Sequence, residues 1–169
     1  AGVTYERSRT ARIDESRVGG SFYDDVYESE RPELFFKATP RRTSGHNGTI
    51  RIRSDAEWTV PEPELALLIT PSLRIVGYTC GNDVSSRDIE GENPLYLPQA
   101  KVYLESCALG PVIRLADDEF NPLNLTIALA IIRDGMTIFH DETNTGHIKR
   151  ELGDLVAYLG RDNIFPEGV

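Results

Sequence analysis

A pair of glutamates at the head of an apolar run constrains this chain more than any other feature. The run covers residues 65–69 and predicts a buried strand, while Glu62 and Glu64 alternate with Pro61 and Pro63 just before it. Side chains two positions apart in an extended chain leave from the same face, so the two carboxylates should lie close together. Like charges so placed repel unless a cation lies between them or one carboxylate is protonated. The prolines lack backbone donors, which favours an edge strand.

A third carboxylate follows where the next predicted strand ends. That strand covers residues 74–80 and leads to Asp83. Oxygen ligands from two neighbouring strand ends suit Mg²⁺, with Mn²⁺ or Ca²⁺ as alternatives. The spacing alone leaves a second interpretation open, in which Glu62 and Glu64 are simply a solvated pair.

The composition narrows the class of protein. With 169 residues the chain is long enough for one domain with a sizeable core. Acidic residues outnumber basic ones 27 to 18, and this net charge of −9 disfavours binding to nucleic acid or to an anionic membrane. No apolar run approaches the roughly 20 residues that span a bilayer. Cys80 and Cys107 lie in apolar contexts, so we interpret them as small buried residues in a reducing cytoplasm.

Hydrophobic periodicity predicts an α+β fold that is mostly β. Residues 1–30 predict two short helical or loop pieces, a candidate lid, broken over residues 16–20. Residues 85–92 predict one or two helical turns ending at Gly91, residues 93–99 an irregular loop, and residues 148–159 an amphipathic helix. The predicted strands are residues 34–38, 50–53, 62–69, 74–80, 101–107, 110–115 and a hairpin of 123–132 with 136–139 around Asp134-Gly135.

Several motifs, in this order, resemble the fumarylacetoacetate hydrolase superfamily. They are residues 57–66 (EWTVPEPELA), 77–79 (GYT), 82–88 (NDVSSRD), 100–101 (AK) and 109–111 (LGP). Three further strings, residues 31–40, 53–58 and 92–99, are most similar to the branch of 2-keto-3-deoxy-D-arabinonate dehydratases. The resemblance extends over roughly residues 5–169.

The resemblance implies a rolled, mixed β-sheet that holds a metal ion at one open end. The family's metal ligands fall on Glu62, Glu64 and Asp83. Its active-site lysine, which contacts substrate, falls on Lys101, and the catalytic glutamate of the dehydratase branch falls on Glu33. An arginine that binds substrate in the hydrolases falls on Arg87. Superfamily members suggest a homodimer or homotetramer.

Two departures from the family pattern bear on these expectations. Hydrolases and decarboxylases of the superfamily often carry a His and a Glu on a lid helix, and residues 3–11 contain no histidine. The family also has a Thr-Gly-Thr loop beyond the position of Val169, so we expect a single catalytic domain, residues 1–169, that is part of a longer protein and incomplete in its rolled sheet.

The function implied is Mg²⁺-dependent dehydration of a small 2-oxo acid, 2-keto-3-deoxy-D-arabinonate, to 2,5-dioxopentanoate. Acylpyruvate hydrolysis or oxaloacetate decarboxylation on the same scaffold is the alternative, and a non-catalytic metal-binding or partner-dependent chain is another. Without the resemblance, Glu33 could be a surface glutamate, Lys101 a solvated edge residue, and Arg87 a partner of Asp83 or Asp88. Glu90 and Glu92 receive no assignment, and the three scattered histidines are interpreted as structural.

Overall fold

A computed structural model describes residues 1–16 and 19–169 of the chain. The helices are α1 (Glu6–Glu15), α2 (Ser21–Glu28), α3 (Arg87–Glu92), α4 (Leu97–Lys101) and α5 (Leu152–Gly160). The strands are β1 (Thr43–Ser44), β2 (Thr59–Val60), β3 (Pro63–Ile69), β4 (Ile75–Asp83), β5 (Ser85–Ser86), β6 (Cys107–Leu115), β7 (Thr126–Arg133) and β8 (Met136–Asn144). Short 3₁₀ turns occupy Pro40–Arg42, Pro94–Tyr96 and Thr145–His147.

The main sheet is mixed, as the family resemblance implies. Its strand order is β1-β6-β4-β3, with β1 parallel to β6 and the other pairs antiparallel. The strand that follows the two prolines, β3, lies at an edge of this sheet, as expected for a segment short of backbone donors. Its register with β4 places Pro63 opposite Asn82 and Leu67 opposite Tyr78. The ends of β3 and β4 that carry the acidic residues therefore lie side by side.

A small second sheet fixes the segments on either side of these acidic ends. β2 pairs with β5 in antiparallel fashion, so that Thr59 lies opposite Ser86. The backbone N–H of Asp83 also donates to the carbonyl of Glu62 at 2.9 Å. The chain just before Glu62 and the chain just after Asp83 are thus held together by backbone hydrogen bonds, which orient both side chains before any charge is considered.

The β7–β8 hairpin forms as predicted, and β7 lies against β3. Asp134 (φ 52°) and Gly135 (φ 76°) both adopt positive φ, the requirement of a two-residue type I′ turn. The two short N-terminal pieces, for which helix and loop were both left open, are the helices α1 and α2. The predicted break between them falls in part on residues 17 and 18, which lie outside the described residues.

Three predicted strands are wrong. A segment of alternating or apolar residues becomes a strand only where another strand pairs with it. Residues 34–38 and 50–53 belong to no strand, and Ile52 is left 66% exposed. Residues 101–107 were predicted to be extended, but Lys101 is the last residue of α4 and β6 begins only at Cys107.

Helix boundaries also differ from the predictions. Residues 93–99 were expected to be a loop because of Pro94 and Pro98, yet both prolines occupy first-turn positions of helical segments, where a missing N–H has no cost. Gly91 does not end α3, which continues to Glu92. α5 starts four residues later than predicted, at Leu152. Residues 148–151 are irregular, and the backbone N–H of Lys149 donates to the carbonyl of Thr4 instead of entering a helix.

The two cysteines occupy different environments. Cys107 is buried, as predicted, whereas Cys80 is exposed, because its side chain projects from the open face of β4. Both are free thiols. Among the described residues, no helix has the combined length and apolar character that a membrane crossing requires.

We predict that Gly135→Ala destabilises the protein by about 1–2 kcal/mol, since a Cβ is disfavoured at this positive φ. The site is open, so no steric overlap adds to the cost. Gly153→Ala is the matched control, because this α5 glycine also faces open space and alanine favours the helix by up to about 1 kcal/mol. Chemical denaturation of both variants measures the difference, and equal effects of the two changes would contradict the turn assignment.

Candidate active site

The three predicted ligands converge at the paired ends of β3 and β4. Glu62, Glu64 and Asp83 each offer one carboxylate oxygen, and these oxygens all lie within 4.8 Å of one another. Asp83 is buried, while Glu62 and Glu64 retain partial access to solvent. The expected same-face placement of the two glutamates is therefore confirmed. Glu62 is not part of a solvated pair, because it is in ion pairs with Lys101, Arg12 and Arg87. Their role as metal ligands stays a prediction.

The electrostatics of this group fit a divalent cation. Burial raises the pKa of Glu64 to about 7, and repulsion from Asp83 and Glu62 contributes to the rise. Unlike the other two carboxylates, Glu64 has no ion-pair partner in the described part of the chain. Three converging oxygens with one uncompensated carboxylate are the donor set that Mg²⁺, Mn²⁺ or Ca²⁺ prefers.

Lys101 is the most deeply buried charge of the site. It is 2% exposed, and its Nζ donates to Glu62 Oε2 at 2.8 Å, Asp83 Oδ2 at 3.1 Å and Ser85 Oγ at 2.5 Å. Burial alone would lower the pKa of Lys101, but Glu62 and Asp83 raise it above the ordinary value. The interpretation of Lys101 as a solvated edge residue is wrong, because α4 carries it into the interior.

A second lysine, Lys37, was not predicted. Its Nζ lies 2.7 Å from Asp83 Oδ1 and donates to the carbonyls of Val84 at 2.8 Å and Lys101 at 2.7 Å. Burial lowers the pKa of Lys37, and Asp83 offsets that effect only in part. The sequence offered one signal for Lys37, which is its position directly after the apolar residues 34–36. Composition alone assigned this segment to a strand.

Two arginines complete the compensation of Glu62. Arg87 Nη2 and Arg12 Nη2 each donate to Glu62 Oε1 at 2.5 Å, and Arg87 Nη1 donates to Glu15 Oε2 at 2.5 Å. Burial opposes ionisation of Glu62, yet Lys101 and Arg12 hold its pKa below the ordinary value. Arg87 therefore pairs with Glu62 and Glu15 rather than with Asp83 or Asp88. No sequence signal marked Arg12 or Glu15, which reach the site only because α1 packs over it.

Glu33 lies in the segment after α2 and faces the same site. A single backbone bridge to Gly2 holds it, and a Cβ on Gly2 would overlap its carboxylate. Burial raises the pKa of Glu33, and the nearby Glu90 adds to the rise. Glu90 is itself 6% exposed and was left unassigned. Glu90 stands three positions after Arg87, and residues three apart lie on the same face of a helix. This spacing is the sequence signal that could have placed Glu90 at the site.

These side chains line one cavity of about 710 Å³. Its lining includes the carboxylate trio, Glu33, Glu90 and Lys101, together with apolar residues from β7, β8 and α5 such as Leu129, Phe139 and Val156. His46, His140 and His147 are exposed, and no histidine is among the described residues that line the cavity. The arrangement can bind a cation, hold a small anion and transfer protons between buried carboxyl groups.

Comparison with known proteins identifies the family. The family model described as fumarylacetoacetate (FAA) hydrolase C-terminal matches residues 10–168. The chain belongs to this family. The family resemblance of the motifs is thereby confirmed, and so is the expected fold: a hexagonal crystal form of 2-keto-3-deoxyarabinonate dehydratase, 45% identical, superposes with a TM-score of 0.90 over 99% of this chain and 59% of that one.

Other fumarylacetoacetate hydrolase family members are similar over nearly the whole chain. A Saccharolobus solfataricus protein named 2-dehydro-3-deoxy-D-arabinonate dehydratase is 47% identical, and a Haloferax volcanii protein named probable 2-keto-3-deoxyxylonate dehydratase is 51% identical. Each comparison covers 99% of this chain but 57% of the relative. A solved 2-keto-3-deoxy-D-arabinonate dehydratase complexed with magnesium and 2,5-dioxopentanoate is 51% identical, with a TM-score of 0.84 over 86% of this chain and 52% of that one. The chain thus spans little more than half the length of these relatives.

Glu64→Ala should weaken Mg²⁺ binding by at least about 10–100-fold, since even residues that only support a metal ligand have effects of that size. Isothermal titration calorimetry measures the change. Glu57→Ala is the control, because Glu57 is an exposed carboxylate a few residues upstream in the same segment. Unchanged affinity in the Glu64 variant would remove it from the ligand set.

Mg²⁺ affinity should also depend on pH, because a cation binds the ionised form of Glu64. With its pKa raised to about 7, Glu64 is largely protonated at lower pH in the metal-free protein. The apparent affinity should therefore rise about tenfold per pH unit as pH increases toward 7 and level off above it. Glu64→Gln should abolish this slope, and an equal slope in that variant would assign the proton to another group.

Proposed function

We propose that the protein is a Mg²⁺-dependent hydro-lyase that converts 2-keto-3-deoxy-D-arabinonate to 2,5-dioxopentanoate. The observation that carries the proposal is that Glu33 and Lys101 line the same cavity as the carboxylate trio of Glu62, Glu64 and Asp83. The identity of 47–51% to proteins named as dehydratases supports the substrate class. A relative solved with magnesium and 2,5-dioxopentanoate supports both the cofactor and the product.

The residues present fit the proposed cofactor, since Glu64 converges with Glu62 and Asp83 and has no ion-pair partner in the described part of the chain. Glu62, Glu64 and Asp83 would hold the Mg²⁺, which when bound acts as a Lewis acid toward the 2-oxo acid. Glu62 and Asp83 can serve as ligands while still accepting from lysine and arginine, because each carboxylate has about four lone-pair sites.

Glu33 is the proposed base that removes a proton from C3 of the substrate. Its raised pKa, caused first by burial, brings it closer to neutral pH, where a carboxylate is a more effective base. Lys101, fixed by Glu62 and Asp83, places a buried positive charge beside the substrate, where it stabilises negative charge that develops on oxygen. Arg87 lies on the same wall of the cavity and can bind a substrate oxygen.

Sister activities on the same scaffold are disfavoured by the helix that covers the site. Hydrolysis of an acylpyruvate needs an activated water, which a His and Glu dyad on the lid commonly supplies. In α1 the residues that enter the cavity include Arg12 and Glu15, and both are in ion pairs with Glu62 or Arg87. The described part of α1 therefore supplies neither a histidine nor an unpaired carboxylate to the cavity, and the lack of a lid dyad favours elimination over hydrolysis.

We also propose a cytoplasmic setting for the protein and a role in pentose catabolism. Two free thiols suit the reducing cytoplasm, and a sugar-acid substrate suits pentose catabolism. Superfamily resemblance supports a homodimer or homotetramer, and light scattering of the intact protein measures its mass.

The test of function is direct. Purified intact protein with 2-keto-3-deoxy-D-arabinonate and Mg²⁺ should produce an aldehyde, and EDTA should abolish the reaction. Formation of pyruvate from an acylpyruvate, or of CO₂ from oxaloacetate, without dehydration of the sugar acid would favour the sister activities. Metal binding with none of these reactions would leave a non-catalytic metal protein.

We predict that Glu33→Gln lowers turnover by roughly 10²–10⁴-fold while Mg²⁺ binding is unchanged, since the change removes a base and leaves the trio intact. Steady-state aldehyde formation and calorimetry measure the two quantities. Glu119→Gln, at an exposed position, serves as the control. A Glu33 variant with normal turnover would exclude this residue as the base.

A further inference from the structure

Glu90 is a buried carboxyl group that has no role in the mechanism proposed above. It lies on α3, is 6% exposed, and lines the cavity together with Glu33. Its Oε2 is inaccessible to solvent and has no hydrogen-bond partner in the described part of the chain. The nearest cationic atoms are Arg87 Nε at 3.6 Å and Lys101 Nζ at 4.0 Å, both beyond hydrogen-bond distance. Its Oε1 lies 3.5 Å from Arg12 Nε.

A buried oxygen without a partner requires a physical explanation, because leaving such an atom unpaired is costly. The charged and titratable neighbours of Glu90 are Arg12 and Glu15 of α1, Tyr23 of α2, Glu33, Glu62, Asp83, Arg87 and Lys101. Burial raises the pKa of Glu90, and Lys101 and Arg12 oppose the rise only in part. A protonated Glu90 would carry an O–H group, and the residue is among those that line the cavity.

Dehydration needs such a donor, because hydroxide is a poor leaving group and the oxygen on C4 must gain a proton as it departs. The lysines of the site cannot readily supply it. All three protons of Lys101 are engaged, by Glu62, Asp83 and Ser85. Lys37 donates to two backbone carbonyls, and its Nζ lies in an ion pair with Asp83. Arginine does not deprotonate in proteins, which excludes Arg12 and Arg87 as acids.

Resting on the proposed function, we propose that Glu90 is a second catalytic residue, the acid that protonates the departing C4 hydroxyl of the sugar acid. In this step Glu33 takes the proton from C3, and the electron pair of that C–H bond forms the C3–C4 double bond. The C4–O bond breaks as its oxygen accepts the Glu90 proton, and water leaves. Glu33 is then protonated and Glu90 ionised.

The same pair returns to its starting state as the product isomerises. Ionised Glu90 takes a proton from C5, the double bond moves to C4–C5, and protonated Glu33 returns its proton to C3. The resulting enol of the C5 aldehyde tautomerises to 2,5-dioxopentanoate. One water is lost overall, no oxidant or reductant is needed, and both glutamates return to their starting states, with Glu33 ionised and Glu90 protonated.

Leaving-group dependence tests this role in the intact protein with Mg²⁺. Three probes are used: 2-keto-3-deoxy-D-arabinonate, 4-fluoro-2-oxopentanoate, whose fluoride leaves without full protonation, and 2-oxopentanoate in D₂O, which reports proton removal from C3 alone. Glu90→Gln should slow dehydration by roughly 10²–10⁴-fold yet keep fluoride release and deuterium exchange. Glu33→Gln should lose all three activities. Glu92→Gln, an exposed glutamate on the same helix, should retain all three.

Each outcome decides the proposal. Dehydration at the wild-type rate by Glu90→Gln would overturn it, and so would an equal loss of all three activities, which indicates a structural role. Retained fluoride release and exchange also establish that the variant is folded. Failure of the proposed function gives a different signature, since the wild-type protein itself would then form no aldehyde, and the acid role would fall with the reaction.

Discussion

Charge compensation in a buried cluster is the constraint on which the rest of this structure depends. Glu62, Glu64 and Asp83 bring three negative charges within 4.8 Å of one another, an arrangement that is unfavourable in a protein interior without nearby cations. Lys101 and Lys37 supply two of these cations, each bound to Asp83. Because each lysine also satisfies neutral acceptors, the cluster forms a connected network rather than a set of isolated ion pairs.

Ion pairs with this cluster position the helices around the sheet. α1 brings Arg12 to Glu62, and α4 brings Lys101, whereas neither helix has a long apolar face that would position it alone. The β7–β8 hairpin and α5 contribute apolar residues to the lining of the cavity instead of charges. The cavity therefore has both charged and apolar lining residues, which suits a small acid whose reacting carbons must be kept from bulk water.

Local sequence patterns predicted those parts of the site that strand geometry dictates. The spacing of Glu62 and Glu64 sets a common face, and the end of the following strand sets Asp83 beside them, so this part of the site required no long-range information. Prediction failed for residues 34–38 and 50–53, because a strand exists only when another strand pairs with it. It failed for residues 93–99 because a proline fits both a loop and the first turn of a helix.

The sequence by itself thus determined the carboxylate trio, the edge strand that carries it and the family to which the chain belongs. Tertiary structure alone decided that Arg12, Lys37 and Glu90 join the trio, since they come from segments that are distant along the chain and carry no local pattern of their own. The physical reason is that backbone geometry acts over a few residues. Compensation of buried charge instead acts through space, between whichever side chains the packed elements bring together.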